Sequence, residues 1–399
     1  MTSTVMTQVS NRWLLPDHMA DSLPTQARQI EEVRRSLLDT ANSYGFELVM
    51  PPLVEHLDSL LIGAGAQSGS ALDLQTFKLV DQHSGRSLGV RADITPQVAR
   101  IDAHLLNRQG LARLCYCGPV LHTRPAMPHA SREPLQFGAE MYGHAGLEAD
   151  LEIMELALAS LGIGGIKNCV IDLSSVSIVQ ALLKEHNLNG ASQAFIYKAL
   201  AAKDTAALLE NASLSSELSS ALVVVLSLYG GIDVLDKARV MLPQTASITA
   251  ALDDLSWLAK HLVASGHKAE SIRFDLSDLG GYGYYTGVRF AVYSASAKDA
   301  LARGGRYDNV GEAFGRRRPA VGFSLDIKAL VESAAPHARK ASIRMSWFDD
   351  ARLRLAARGL RASGETVICV LPGHESEADE FACDRELALV DGQWVVKSL

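Results

Sequence analysis

The chain has 399 residues, enough for two or three domains and a large core, and its 48% hydrophobic and 21% charged content is that of an ordinary globular protein. No run of about 18 apolar residues is present to span a bilayer, and Met1 to Asn11 lack the basic, apolar and small-residue succession of a secretory signal, so a cytoplasmic location without a membrane partner is expected. A net charge of −7 argues against a nucleic-acid partner, because such binding relies on cationic neutralisation of phosphates.

In chain order, Pro24 opens a helical pattern in which Ile30, Val33, Leu37, Ala41 and Tyr44 share a face and Gly45 ends the run. Phe46 to Met50 reads as a strand halted at Pro51-Pro52, and Leu53 to Ala71 as helical or irregular. Thr76 to Val80 and Ser87 to Arg91 flank Gln82 to Gly85 as a hairpin. Asp93 and Thr95 then precede Pro96, which opens a helix continued by Val98, Ile101 and Leu105; a carboxylate and a hydroxyl there suit either capping or binding. From Leu114 to Gly143 two strands are joined by a loop. In the second, Gln136, Gly138 and Glu140 share one face and Leu135, Phe137, Ala139 and Met141 the other. One face packs, and the other presents an amide and a carboxylate around a glycine, whose missing side chain leaves room for a ligand. That pattern suits a small, polar, partly cationic ligand lying on a sheet; the alternative is an amphipathic strand with a solvated face.

Ala149 to Leu161 reads as a helix and Cys169 to Leu173 as a buried strand. Residues 177 to 265 are rich in alanine and leucine and carry successive helical patterns without strand signal, an all-helical insertion. Strands return at Ile272 to Leu276 and Val288 to Tyr293, separated by a tyrosine-bearing turn from Gly280 to Gly287 that lacks the lysine of a phosphate loop. Gly304 to Asp308 follow, then a strand from Pro319 to Leu325 that runs into a helix at Asp326 to Val331. Arg316 to Arg318 read as a solvated loop in preference to an anion site. After a candidate linker at Ala334 to Arg339, residues 340 to 399 form a small α/β module: strand Ile343 to Phe348, helix Asp350 to Ala362, strand Thr366 to Leu371, and a strand pair turned by Asp391-Gly392. The cysteines Cys115, Cys117, Cys169, Cys369 and Cys383 are odd in number and show no zinc or redox spacing, so packing thiols and no metal are expected.

The proline-ended strand, the strand pair from Gly118-Pro119 to Gly143, the turn Tyr284-Tyr285-Thr286, and Gly304 to Asp308 with Ala320 to Phe323 occur in the order seen in histidyl-tRNA synthetase, which residues 10 to 335 resemble. The resemblance implies an α+β fold of the class II aminoacyl-tRNA synthetase type, an antiparallel sheet flanked by helices. Residues 1 to 335 would form that domain, with the helical insertion inside it. Pro52 would stand at the dimerising motif, so self-association as a dimer is implied.

The family's ATP-gripping arginines do not recur. They fall on His122 (or are displaced to Arg124), Ala130, Gly280 and Ala329, and no neutral side chain replaces a guanidinium fork on a phosphate. The positions that hold histidine in the synthetases are kept: by resemblance, Asp93, Thr95, Gln136, Glu140, Tyr285 and Tyr307 form a histidine pocket. With a short module in place of the anticodon-binding domain, the chain resembles the regulatory-subunit branch of the family. That branch implies a non-catalytic chain without cofactor that joins the short catalytic subunit of ATP phosphoribosyltransferase, serves the first step of histidine biosynthesis and lets L-histidine inhibit it. The alternatives are a histidine-binding module of another partner, or an enzyme activating an amino acid for a non-tRNA acceptor.

Overall fold

The computed structural model describes residues 13–62, 71–128, 130–186, 188–280, 284–335, 341–375 and 382–399, and the chain divides into two compact units, Met1–Ala335 and Pro336–Leu399. The segment Met1 to Asn11, Gly281 to Gly283 of the expected tyrosine turn, Pro336 to Arg339 of the candidate linker and part of the stretch from Leu53 to Ala71 lie outside the described residues.

In the first unit the proline-opened helix spans Pro24–Ser43 and buries Ile30, Val33, Leu37 and Ala41, its one apolar stripe. The strands follow as β1 (Glu47–Leu48), β2 (Val54–His56), β3 (Phe77–Val80), β4 (Ser87–Val90), β5 (Ala112–Pro119), β6 (Leu135–Tyr142), β7 (Val170–Ser175), β8 (Tyr229–Gly230), β9 (Ile272–Asp275), β10 (Val288–Tyr293), β11 (Ala302–Arg306) and β12 (Ala320–Asp326). Among the described residues, nine of them form one sheet in the order β1-β5-β6-β12-β11-β10-β7-β9-β8. Its centre is antiparallel, and β1 with β5 and β7 with β9 pair in parallel, so the sheet is mixed and not purely antiparallel.

Strand parity gives this sheet two unlike faces. Phe137, Ala139, Phe323, Phe290 and Leu173 share the apolar face, and with residues of the helices Pro24–Ser43, Leu147–Ile163 and Ala246–Ala264 they belong to one buried cluster. Phe137 and Phe323 meet edge to face with centroids 6.1 Å apart. Gln136, Gly138 and Glu140 occupy the other face, opposite Gly118, Tyr116 and Leu114 of β5 and Asp326, Ser324 and Gly322 of β12.

Three local expectations need correction. The stretch after Leu53 begins with a strand, β2, which pairs with β4 in a sheet of order β2-β4-β3; cross-strand partners decide a three-residue strand that carries no periodicity of its own. The helix at Pro96 spans Thr95–Arg100 and continues as a π-helical segment, Ile101–Leu106, in which buried Asp102 meets the Arg318 guanidinium at 3.2 Å. Arg318 is therefore no solvated side chain: it also donates to the carbonyls of Arg108, Gly110 and Tyr142, and Arg316 donates to Arg108, which leaves Arg317 as the exposed member of the triplet. Residues 177 to 265 contain the helices Gly190–Ala201, Thr205–Glu210, Ser216–Ser227 and Asp233–Met241 but also the short β8, which extends the main sheet. Asn189, Asp204, Ser215 and Thr245 cap helices here by accepting backbone N–H groups, so the chain punctuates these helices locally.

The second unit holds β13 (Ser342–Ser346), the helix Ala351–Ala362, β14 (Val367–Val370), β15 (Cys383–Val390) and β16 (Gln393–Ser398), with sheet order β14-β13-β15-β16 among the described residues. Its core is Ile343, Met345, Leu353, Ala357, Val367 and Leu387. Asp350 caps the helix by accepting from Arg352 N at 2.8 Å and ties it to β16 by accepting from Trp394 Nε1 at 3.1 Å.

Candidate functional site

Glu140 lies at the middle of the polar face and is 1% exposed. Its Oε1 accepts from Thr95 Oγ1 and Tyr116 Oη, each at 3.0 Å, and its Oε2 accepts from Tyr307 Oη, which also reaches Tyr142 Oη at 3.4 Å. Thr95 comes from the first turn of the Pro96 helix, Tyr116 from β5, and Tyr307 from the position just after β11, so three separate segments converge on one carboxyl. Among the described residues these partners are neutral hydroxyls and none is a cation. Burial outweighs their hydrogen bonds and pushes the Glu140 carboxyl up to about 8, so at neutral pH it keeps its proton, and the protonated oxygen then donates to its hydroxyl partner in place of accepting. Gly322 is what admits this carboxyl: a Cβ built there would lie 1.5 Å from Glu140 Oε2.

A second polar cluster adjoins it. Gln136 Nε2 donates to Asp93 Oδ1 at 2.8 Å, Ile94 N donates to Gln136 Oε1 at 3.0 Å, and Thr95 N donates to Asp93 Oδ1 at 3.1 Å. Asp93 thus has its Oδ1 used to fix the loop and is only half-buried. Rings wall the other side. Tyr284 stacks on Tyr307 with centroids 5.0 Å apart, Tyr285 meets Tyr284 edge-on at 5.1 Å, and the Arg289 guanidinium lies over the Tyr285 ring at 5.6 Å.

The structure therefore brings Asp93, Thr95, Gln136, Glu140, Tyr285 and Tyr307 to one region, linked by direct hydrogen bonds or through Tyr284. Sequence reasoning missed Tyr116, Tyr142 and Arg289. Tyr116 had a usable signal, since it has the parity of Gly118 on a strand that must pair with β6, but the register was needed to set it opposite Gly138. It also corrects the reading of Gly138. The space left by its missing side chain is filled by Tyr116, whose Oη stands 2.3 Å from where a Cβ would be, and is not left open for a ligand. Both Glu140 oxygens have partners, so a ligand N–H reaches this carboxyl by displacing a hydroxyl, with Tyr307 nearest to the aromatic wall.

The loop between β5 and β6 is held by its own basic residues. Arg132 Nε donates to His122 O at 3.0 Å, Arg132 stacks over Phe77 at 5.3 Å, and His122 Nε2 meets Ala92 O at 2.9 Å while its Nδ1 is buried without a partner among the described residues.

Against known proteins, the family model for histidyl-tRNA synthetase matches residues 18–330, and that for the C-terminal domain of ATP phosphoribosyltransferase subunit HisZ matches residues 340–397. The solved structure of a histidyl-tRNA synthetase from Nostoc shares the fold at a TM-score of 0.77 and 18% identity, each chain covered to 97%. The first unit is thus a class II synthetase domain of histidyl type. The ATP phosphoribosyltransferase regulatory subunits of Albidiferax ferrireducens and Verminephrobacter eiseniae are 60% and 58% identical to this chain, over 97% of it and 99% of each relative. The crystal structure of an ATP phosphoribosyltransferase regulatory subunit/histidyl-tRNA synthetase from Bacillus halodurans superposes with a TM-score of 0.80 at 29% identity, covering 92% of this chain and 95% of that one. The chain belongs to the family of ATP phosphoribosyltransferase regulatory subunits, and its role is a regulatory one in histidine biosynthesis.

Proposed function

We propose that this chain is a non-catalytic partner of a short catalytic ATP phosphoribosyltransferase subunit and that L-histidine acts on the complex through the Glu140 site. The observation behind the histidine reading is the chemistry of Glu140: a carboxyl buried among hydroxyls, without a cation, is stabilised in its charged form by an imidazolium or an imidazole N–H. The half-buried carboxylate of Asp93 is the acceptor for the ligand's ammonium, oriented by Gln136.

Adenylation is absent in this proposal. The side chains of Ala130 and Ala329 carry no guanidinium where the synthetases place one, Gly280 has none of its own and the Arg289 guanidinium beside it is paired with Asp278, and Arg132, which the loop does contain, is committed to a backbone carbonyl and a ring. Each missing charge-assisted contact removes about 1.5–3 kcal/mol of phosphate binding. The net charge of −7 supports a role without nucleic acid. Self-association through the Pro51-Pro52 edge is supported by β1, an edge strand whose neighbours Met50 and Leu53 are 83% and 44% exposed. The proposed setting is the cytoplasm; no described helix is long and apolar enough to cross a membrane.

The test is reconstitution. A short catalytic phosphoribosyltransferase mixed with this chain should gain turnover and become inhibitable by histidine, and the chain alone should show no histidine-dependent ATP–pyrophosphate exchange. A confirmed complex with unchanged turnover would overturn the partnership, and exchange at synthetase-like rates would overturn the non-catalytic assignment.

A further inference from the structure

A histidine zwitterion has three ionic or polar ends, and the site as described receives two of them. The ammonium has Asp93 and the imidazole has Glu140, but the α-carboxylate would be buried without a counter-charge, which is costly unless a cation is in place. We propose that Arg289 binds the α-carboxylate of the amino-acid ligand. The proposal rests on the histidine reading above and adds a residue that neither strand periodicity nor the resemblance singled out.

Pairing register is the first observation. Glu140 of β6 is opposite Gly322 of β12, Gly322 is opposite Gly305 of β11, and Gly305 is opposite Arg289 of β10. The carboxyl and the guanidinium thus rise from one row on one face, three strand steps or about 14 Å of backbone apart, with Gly322, over which the Glu140 carboxyl leans, and Gly305 between them and no side chain rising from either. Tyr307, Tyr284 and Tyr285 run from one to the other as a wall: Tyr307 touches Glu140, and Arg289 lies over Tyr285.

Burial is the second. The Arg289 side chain is 5% exposed, and its Nε is buried with no hydrogen-bond partner among the described residues. A buried donor without an acceptor is destabilising, and a bound carboxylate would satisfy it. Asp278 occupies the opposite edge of the guanidinium, pairing with Nη1 and accepting from it through its carbonyl at 3.2 Å. Asp278 Oδ1 also accepts Gly280 N at 3.1 Å, so this residue positions both the arginine and the start of the turn. Nη2 points to Gly280, where a Cβ would lie only 3.2 Å away, so the missing side chain of Gly280 leaves room for Nη2. Arg303, the other arginine of this face in β11, is paired with Asp299 and its side chain is 45% exposed, which makes it the weaker candidate.

The experiment titrates the full-length chain calorimetrically with L-histidine and with L-histidinamide, which keeps the imidazole and the amine and lacks the carboxylate. The parent protein should bind histidine at least tenfold more tightly than histidinamide. In Arg289→Gln that preference should collapse through loss of histidine affinity, with histidinamide affinity unchanged within twofold, and Arg289→Lys should fall between. A preference that persists in both variants, or losses equal for the two ligands, would overturn the carboxylate assignment and leave the Glu140 site standing. Failure of both ligands to bind the parent chain would overturn the site reading and this proposal together. If Arg289→Gln shows no cooperative melt, Arg289→Lys and the parent's own preference decide: a ratio near one in the parent overturns the proposal.

Discussion

Two buried acidic side chains, Asp150 and Glu140, lie one over each face of the central sheet, and the fold answers them in opposite ways. On the apolar face Asp150, from the helix Leu147–Ile163, is 1% exposed and is met by the Arg306 guanidinium through Nε at 3.3 Å and through Nη2. Arg306 uses its remaining donors on the carbonyls of His144 and Gly146 at 3.0 and 3.1 Å. Charge and hydrogen bonds both close within the fold. On the polar face Glu140 is equally buried and closes its hydrogen bonds with hydroxyls, but its charge finds no counterpart among the described residues. A carboxylate with its own guanidinium is a joint between elements; one with hydroxyls alone is complete only when protonated or when a cationic ligand arrives.

Breaking the joint should have the largest effect. Asp150→Ala leaves the buried Arg306 guanidinium with the more exposed Asp308, 3.5 Å from its Nη1, as its remaining described carboxylate partner, and a loss of about 3–5 kcal/mol is expected in urea unfolding of the full chain. A loss below about 1 kcal/mol would show that Arg306 finds another acceptor, and the contrast between the faces would fail. Gly322→Ala comes next, because its Cβ collides with Glu140 Oε2 and the surroundings must shift; a cost of about 1–3 kcal/mol together with lost histidine binding is expected. Binding lost without any change in the melt would place Gly322 in ligand contact and not in support of Glu140.

Glu140→Gln sharpens the comparison from the other side. It keeps the shape and removes the ionisable group, so the melting temperature should hold or rise, while histidine affinity and feedback inhibition of the reconstituted complex fall together by at least tenfold. Calorimetry and the inhibition curve are the readouts, and parent-like values for both would return the strand to a merely packed role. Tyr307→Phe should be milder, about 0.5–1.5 kcal/mol in stability for one hydrogen bond.

The remaining test is a slope with pH. Glu140 titrates at about 8 in the folded chain against an ordinary 4.5, so between those values the folded state holds a proton that the unfolded state has released. Stability contributed by this group is then full below the ordinary value and declines as pH rises toward 8. Melting curves of the parent and Glu140→Gln should diverge in favour of the variant across that window. Parallel curves would mean that Glu140 is already ionised at neutral pH.

Much of the site's raw material was visible in the chain. Alternation on one strand set Gln136 and Glu140 on a common face, and the order of motifs tied Asp93, Thr95, Tyr285 and Tyr307 to them. Tyr116 escaped because its role depends on register with Gly138, and a shift of one residue would have turned it to the apolar face. Arg289 escaped because four strands must pair before it shares a row with Glu140. Arg318 looked solvated because its partner Asp102 lies 216 residues away.

Short-range physics governs the features that can be read from the chain alone. The proline-opened helix Pro24–Ser43, the capped helices of the insertion, the Asp391-Gly392 turn with both residues at positive φ, and the two-faced strand β6 follow from periodicity and backbone preference. Whether a buried charge is answered depends on the packed fold. Asp150 stands between Glu148 and Glu152 at the start of a helix and Glu140 in a mostly apolar strand, and neither carries a local mark of its fate. The difference lies in which side chains the sheet delivers to each, a guanidinium from β11 to one and hydroxyls from three segments to the other. Electrostatic completion is a property of neighbours in space, and the pairing order of distant strands sets those neighbours.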